Sequence, residues 1–242
     1  MSQTSFENFA RVASRPNRDH TEVAGRYAFQ AAAERRILRD VLNKLDLDAD
    51  DALLEIGCGP GNLLIPLAHF VRRAVGIDTA PCLQRLRDRV PLSRQIECAP
   101  GNFMEIDLAG QSFDKILIYS VLHYLSSEQE VLDFVDRALA LCAPGGRLLL
   151  GDLPNRDRKA RFAASSAGQT VAREWQAQVS QAGGHAFDDL PTDSRLVAID
   201  DKLVLALMAR ARAAGHESYL LAQPPDLPFG GSREDILIIT RS

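Results

Sequence analysis

Short apolar runs alternate with longer amphipathic stretches along most of this chain. The runs are Ala52–Ile56, Ala74–Asp78, Ser93–Cys98, Phe113–Ile118 and Arg147–Gly151, and late in the chain Tyr219–Ala222 and Asp235–Thr240. Each is four to six residues of strand-forming type, the length expected of strands buried in a sheet. Between them lie patterns with apolar residues at three- and four-residue steps. Val23, Tyr27, Ile37, Val41 and Leu45 predict a helix from Thr21 to Leu45, with Thr21 as its N-cap, and Asn62–Val71 a second. A third begins at Pro81, with Asp78 or Thr79 as its cap. A fourth opens at Ser126-Ser127, carries Val131, Leu132, Val135, Leu139 and Cys142 on one side, and stops at Pro144-Gly145-Gly146. A last one runs from Asp200 or Asp201 to Ala214, with Gly215 as its stop. Strands alternating with helices of this length predict an α/β fold: a Rossmann-like, mostly parallel, seven-stranded sheet with helices on both faces.

Two stretches break the alternation. Residues 1–20 are polar and irregular, which predicts a mobile arm or lid. After the fifth strand, Arg156–Gln181 reads as mostly helical, with Val171, Trp175 and Val179 as its apolar stripe, and His185–Ala198 as loop. The expected organisation is an arm and helical lid over 1–46, a core over 47–152, a cap insertion over 153–199, and a helix with two strands over 200–242 that complete the core.

Chemistry gathers where strands end. Leu54-Glu55-Ile56-Gly57-Cys58-Gly59-Pro60-Gly61 leaves an apolar strand for a turn of alternating glycines and then a helix, so free backbone N–H groups face whatever sits above the turn. A dinucleotide fingerprint would place its third glycine one residue later, and Glu55 would repel a pyrophosphate while attracting an ammonium group. Asp78 ends the second strand about 20 residues after Gly57, the offset at which a carboxylate grips a ribose diol. These features resemble motif I and its sequel in the class I S-adenosylmethionine (SAM)-dependent methyltransferases. The resemblance implies SAM as cofactor and S-adenosylhomocysteine as product. It implies Glu55 and the Gly57, Cys58 and Gly59 backbone at the methionine part, and Asp78 with Thr79 at the ribose. Asn102 and Phe103 would meet the adenine, and Tyr119 and Ser120 the sulfonium side. Where that family usually carries an acid beside the adenine amino group, this chain has Asn102, whose amide oxygen can still accept.

Methyl transfer from a sulfonium is governed by positioning, and a base matters only when the acceptor must lose a proton. His123, Asp152 and His185 are the candidates for that role. Tyr27, Arg156 and Arg158 are candidate substrate contacts, the arginines within a run of four cations that otherwise reads as a solvated helix face. Trp175 reads as core.

Composition narrows the partners. The 242 residues carry a formal net charge of -4, so no overall basic field would hold nucleic acid or an anionic membrane. No run approaches a membrane span, no leader pattern opens the chain, and the four scattered cysteines form no metal or disulfide spacing, which points to a cytoplasmic protein without a bound metal. A small-molecule acceptor follows: a sugar, by resemblance to methyltransferases of surface-polysaccharide biosynthesis, or an anionic metabolite, which the arginine run could bind. A non-catalytic SAM-binding scaffold and a nicotinamide-dependent oxidoreductase are the alternatives.

Overall fold

The computed structural model describes residues 2–91, 95–192 and 195–241. Seven strands form one sheet: β1 (Ala52–Ile56), β2 (Arg73–Asp78), β3 (Glu97–Pro100), β4 (Phe113–Tyr119), β5 (Cys142–Leu153), β6 (Glu217–Ala222) and β7 (Glu234–Ile239). Their order is β3-β2-β1-β4-β5-β7-β6, and β7 runs antiparallel between β5 and β6. The chain builds outward from β1 to β3 and then crosses back to lay β4 beside β1, so the crevice above Ile56 and Tyr119 is the place where such sheets bind ligands.

The period-two alternation of the strands sorts the core into two layers. Leu54, Ile56, Ile116, Ile118, Leu148, Leu150, Ile236 and Ile238 face α6 (Glu128–Leu139) and α9 (Asp201–Ala213). Leu53, Leu117, Leu149 and Leu237 face α3 (Ala31–Leu45), α4 (Leu64–Leu67) and α5 (Ala80–Arg89). Ser127 and Asp200 cap α6 and α9 as their positions predicted.

Several boundaries differ from the sequence pattern, each for a local reason. The helix expected from Thr21 is divided. Asp19 and Glu22 form a reciprocal capping box that starts α2 (His20–Val23), Gly25 at φ 78° ends it, and α3 begins only at Ala31. Thr21 instead donates its hydroxyl to Glu34 at 2.6 Å. The helix expected over Asn62–Val71 shrinks to Leu64–Leu67, because Pro66 is confined to a first turn and the chain must bend back to Asp51, whose carbonyl accepts from Arg72 and Arg73. The third strand starts four residues late, at Glu97; Ser93 lies outside the described residues. Pro144-Gly145-Gly146 lies within β5 and does not merely stop the preceding helix, which ends at Leu139.

The N-terminal stretch is not irregular. Ser2 caps α1 (Gln3–Ala13), and this helix lies over the crevice. The Ser2 amide donates to Tyr124 O at 2.7 Å, and Phe9 packs edge-on against Tyr124 and Phe187. At its other end Arg85 of α5 donates to Ala13 O at 2.5 Å, Arg18 O at 2.7 Å and Arg15 O. Beyond β5, α7 (Arg156–Ala163) and α8 (Ser166–Gln181) precede a segment that joins this roof: Asn8 donates to Pro191 O, and Arg15 forms a bidentate pair with Asp189. Arg85→Ala removes charge-assisted bonds from three carbonyls at the α1 C-terminus. Amide exchange of residues 3–13 is then expected to rise about tenfold or more, with the β-sheet amides unchanged. Equal acceleration in both regions would show that Arg85 stabilises the molecule as a whole.

Candidate functional site

The glycine turn is built by packing on one side and left open on the other. Gly57 has φ +79°, and a Cβ there would meet Val121 Cγ2 at 2.4 Å. Gly59, at φ +53°, would meet nothing within 4 Å, so its backbone faces free space. A ligand can therefore approach the peptide units at Gly59 closely, while Gly57 keeps the turn against the sheet.

Two carboxyl groups flank this turn. Glu55 is buried and its Oε2 has no hydrogen-bond partner. Burial, and then the neighbouring Asp78, push its carboxyl well above the usual range. Asp78 Oδ2 accepts from the Gly59 amide at 2.7 Å and Oδ1 from the Thr79 amide at 2.6 Å. Burial raises the Asp78 carboxyl, and those two amides oppose the rise. Thr79 itself is the N-cap of α5, accepting from Cys82 N at 3.4 Å, which leaves the Asp78 side chain for other partners. Thr79 does not line the cleft, and its side chain is occupied by the helix end.

The cleft has two chambers. One is lined by Glu55, Gly57, Cys58, Gly59, Asp78, Tyr119 and Ser120 under Phe9 of α1. The other is lined by Gly57, Asp78, Asn102, Phe103 and Phe134 under Phe6 of the same helix. Nine of the ten residues that the resemblance assigned to cofactor are thus brought together, Thr79 being the exception. Asn102 Oδ1 accepts from Met104 N at 3.2 Å, while its amide nitrogen donates to Glu105 at 3.0 Å. Phe103 is fixed between Phe134 and the Arg137 guanidinium.

Beyond the cleft, at the ends of β4 and β5, Ser120 (φ 62°) and Asp152 (φ 59°) both hold left-handed backbone, which is uncommon for residues other than glycine. The Ser120 hydroxyl donates to Asp152 Oδ2. Asp152 is buried, its Oδ1 has no hydrogen bond, and Arg26 and Arg233 approach its carboxylate to 3.7 and 3.8 Å. Two adjacent strained residues around a buried charge are costly to hold, and such strain collects at functional sites. Asp235 supports the arrangement: its Oδ1 accepts from Asp152 N and from Gln223, both at 2.8 Å, and Gln223 also donates to the Tyr119 hydroxyl at 3.2 Å.

The other candidates fall elsewhere. His123 lies in a 3-10 turn after β4, packed at a 41° tilt against Tyr124, with its Nδ1 buried and without a hydrogen-bond partner among the described residues. Burial, then Arg233 and Arg26, hold its pKa down to about 3, so the ring is neutral and a weak proton acceptor at neutral pH. Between about pH 6.5 and 3 the unfolded chain binds this proton and the native chain does not, so stability falls as the solution is acidified. His123→Gln is expected to flatten the stability profile there, by up to about 1.4 kcal/mol per pH unit. Urea unfolding at pH 4.5 and 6.5 measures it, and parallel slopes for both proteins would place the ring in water. His185 is apart from Asp152, in the segment after α8, 4.6 Å edge-on from Tyr27. Arg156 pairs with Asp200 at 2.7 Å and Arg158 with Glu234 at 3.8 Å, and neither lines the cleft. Their cations hold α7 to the acids of α9 and β7. Trp175 is not core. Val171 on the same stripe is 48% exposed, and the indole packs on Tyr27, Phe29 and Phe229 at the surface of the cap.

Pattern reasoning missed Arg26, Glu34, Asn62, Arg233 and Asp235. Glu34 accepts from Thr21, Arg26 and Asn62, tying α2 and α3 to the glycine turn. Isolated charges carry no periodic signal; only Ser2, Phe6 and Phe9 at helical spacing could have exposed α1 beforehand.

Residues 54–150 match the model of the methyltransferase domain. The glycine turn and the acid at the end of β2 lie within that match, which covers about two fifths of the chain, and the sheet with β7 inserted has the class I methyltransferase fold. Among particular relatives, the chain is 29% identical over 198 residues to the probable non-canonical nonribosomal peptide synthetase CymA of Salinispora arenicola, covering 78% of this chain and 2% of that protein. It is 30% identical over 150 residues to the ubiquinone biosynthesis O-methyltransferase of Azorhizobium caulinodans, covering 60% and 55%. The chain thus spans less than two thirds of these relatives' length. Its fold is similar to that of the N-methyltransferase NodS of Bradyrhizobium japonicum WM9 in complex with S-adenosylhomocysteine, with a TM-score of 0.61 at 16% identity over 99% of this chain and 100% of the other.

Proposed function

We propose that this protein transfers the methyl group of SAM to a small-molecule acceptor. The observation that carries the reading is the glycine turn with open space above Gly59, set between a ribose-type carboxylate and the unpartnered Glu55 Oε2. A buried acceptor without a donor is costly, and the ammonium of the methionine part is the donor it lacks. Glu55 and the Gly57, Cys58 and Gly59 backbone would hold that part, Asp78 the ribose, and Asn102 with Phe103 the adenine. Tyr119 and Ser120 would flank the sulfonium. Once bound, SAM supplies an electrophilic methyl group.

The chain's own task is then orientation and exclusion of water. Phe6 and Phe9 roof the cleft, which favours a small acceptor over a macromolecule, as does the similarity to the ubiquinone biosynthesis O-methyltransferase. Asp152, held by Ser120 and flanked by two arginines, would receive a donor hydrogen of the acceptor on its free Oδ1. His123, its pKa held at about 3, is a weak base for making an alkoxide.

Calorimetry with SAM, S-adenosylhomocysteine and NAD tests the reading. Micromolar binding of the first two and none of NAD is expected. Binding of NAD alone would replace the reading with an oxidoreductase. Binding of SAM without turnover of any acceptor would leave a SAM-binding module.

A further inference from the structure

A second cavity, of about 190 Å³, lies between the N-terminal segment and the cap. Tyr27 and Phe29 contribute one side, Gln178 and Gln181 of α8 with His185 beyond it another, and Arg26 lines both this cavity and the cofactor cleft. Arg26, whose guanidinium lies 3.7 Å from the Asp152 carboxylate, is the residue that joins this cavity to the cleft.

Four observations describe what it would take. First, its size: a cavity of about 150 Å³ holds one benzene ring, so this one admits a single six-membered ring with a substituent or two. Second, its apolar side is a rigid slab. Tyr27 and Phe29 stack at 17° with centroids 5.1 Å apart, and Trp175 and His185 brace Tyr27 edge-on. The face of a second ring can lie along such a slab. Third, its charges are already spent. Arg26 is paired with Glu34 at 3.2 Å and faces Asp152, while Glu22 accepts from Arg18 at 2.7 Å and from Asp19 N at 3.1 Å. A charged substituent would find no free counter-charge and would lose its hydration. Fourth, the amides of Gln178 and Gln181 form no hydrogen bond with the described residues, and the His185 Nε2 has no partner there either. Each amide offers two donors and an acceptor to hydroxyl or amino substituents.

We infer that this cavity seats the ring of the methyl acceptor: one uncharged six-membered ring, aromatic or pyranose, with a polar rim. The inference rests on the methyltransferase reading and differs from the anionic acceptor expected from the arginine run, whose cations are paired away from this cavity.

The test uses the full chain saturated with S-adenosylhomocysteine and four probes: phenol, methyl β-D-glucopyranoside, benzoate and benzylamine. Saturation-transfer NMR and titration are run on the native protein, Tyr27→Ala and Gln181→Ala; Gln181 is exposed at the end of α8, so its variant should fold. Binding of phenol, the glucoside or both is expected, ahead of the charged probes. It should weaken about tenfold in Tyr27→Ala and about three- to tenfold in Gln181→Ala, with affinity for S-adenosylhomocysteine unchanged in both. Phenol without the glucoside assigns an aromatic ring, and the reverse a pyranose. Tighter binding of benzoate or benzylamine, no binding of either neutral ring, or binding indifferent to both substitutions would overturn the assignment. Absent binding of S-adenosylhomocysteine to the native protein would instead strike the methyltransferase reading itself.

Discussion

Lys44→Ala is expected to cost about 3–5 kcal/mol of stability, the usual loss when one partner of a buried ion pair is removed. The Lys44 ammonium lies 2.5 Å from Asp40 and 2.6 Å from Asp235, and both acids are buried. Burial drives the Asp235 carboxyl upward, and Lys44 is the largest influence opposing that rise. Without the ammonium, two acids would face each other across a dry gap, and Asp235 would take up a proton or unfold its surroundings. The loss should reach the site, because Asp235 holds the Asp152 amide and Gln223. Urea unfolding at pH 7 measures it. A loss under about 1 kcal/mol, the value of a surface pair, would mean that water reaches Asp235. Lys44→Ala combined with Asp235→Asn should recover part of the loss, since the uncompensated charge is then gone.

The second large effect is on binding. Asp78→Ala should weaken SAM binding by about 1.5–3 kcal/mol, the range for hydrogen bonds to a charged group, or roughly ten- to 150-fold in Kd. The same change frees the Gly59 amide, which now donates to Asp78. Two contributions are therefore mixed, and Asp78→Asn separates them: the amide oxygen can still accept from Gly59 but binds a diol without the charge. Calorimetry that finds equal affinity in Asp78→Ala would remove the ribose assignment. Equal loss in Asn and Ala would make the carboxylate charge, rather than the turn, responsible.

Most of the sheet could be read beforehand because strand burial is a local pattern. Leu53, Leu54 and Ile56, and Ile116 to Ile118, put apolar side chains on both faces, so both strands announced themselves within a residue of their observed ends. The glycine turn and Asp78 were legible for a related reason: backbone approach and an acid at a strand end are requirements met by adjacent residues. Helix starts were less secure. Thr21 and Asp19 are both competent caps, and only the reciprocal bond with Glu22 decided for Asp19. Trp175 sat in an apolar stripe whose period promised a core face, yet Val171 on that stripe is left half exposed.

By itself, then, the order of residues determined the alternating fold, the glycine turn and the acid at the end of β2, since each depends on neighbours a few positions apart. The tertiary structure alone decided the surroundings of Asp152, Asp235 and Tyr27. Asp152 meets Arg26 and Arg233, Lys44 meets Asp235, and Tyr27 meets His185 and Trp175 across separations of tens to nearly two hundred residues. Pairings of that range leave no periodic trace, because they are made by how helices and loops settle on the sheet and not by the spacing within any one of them.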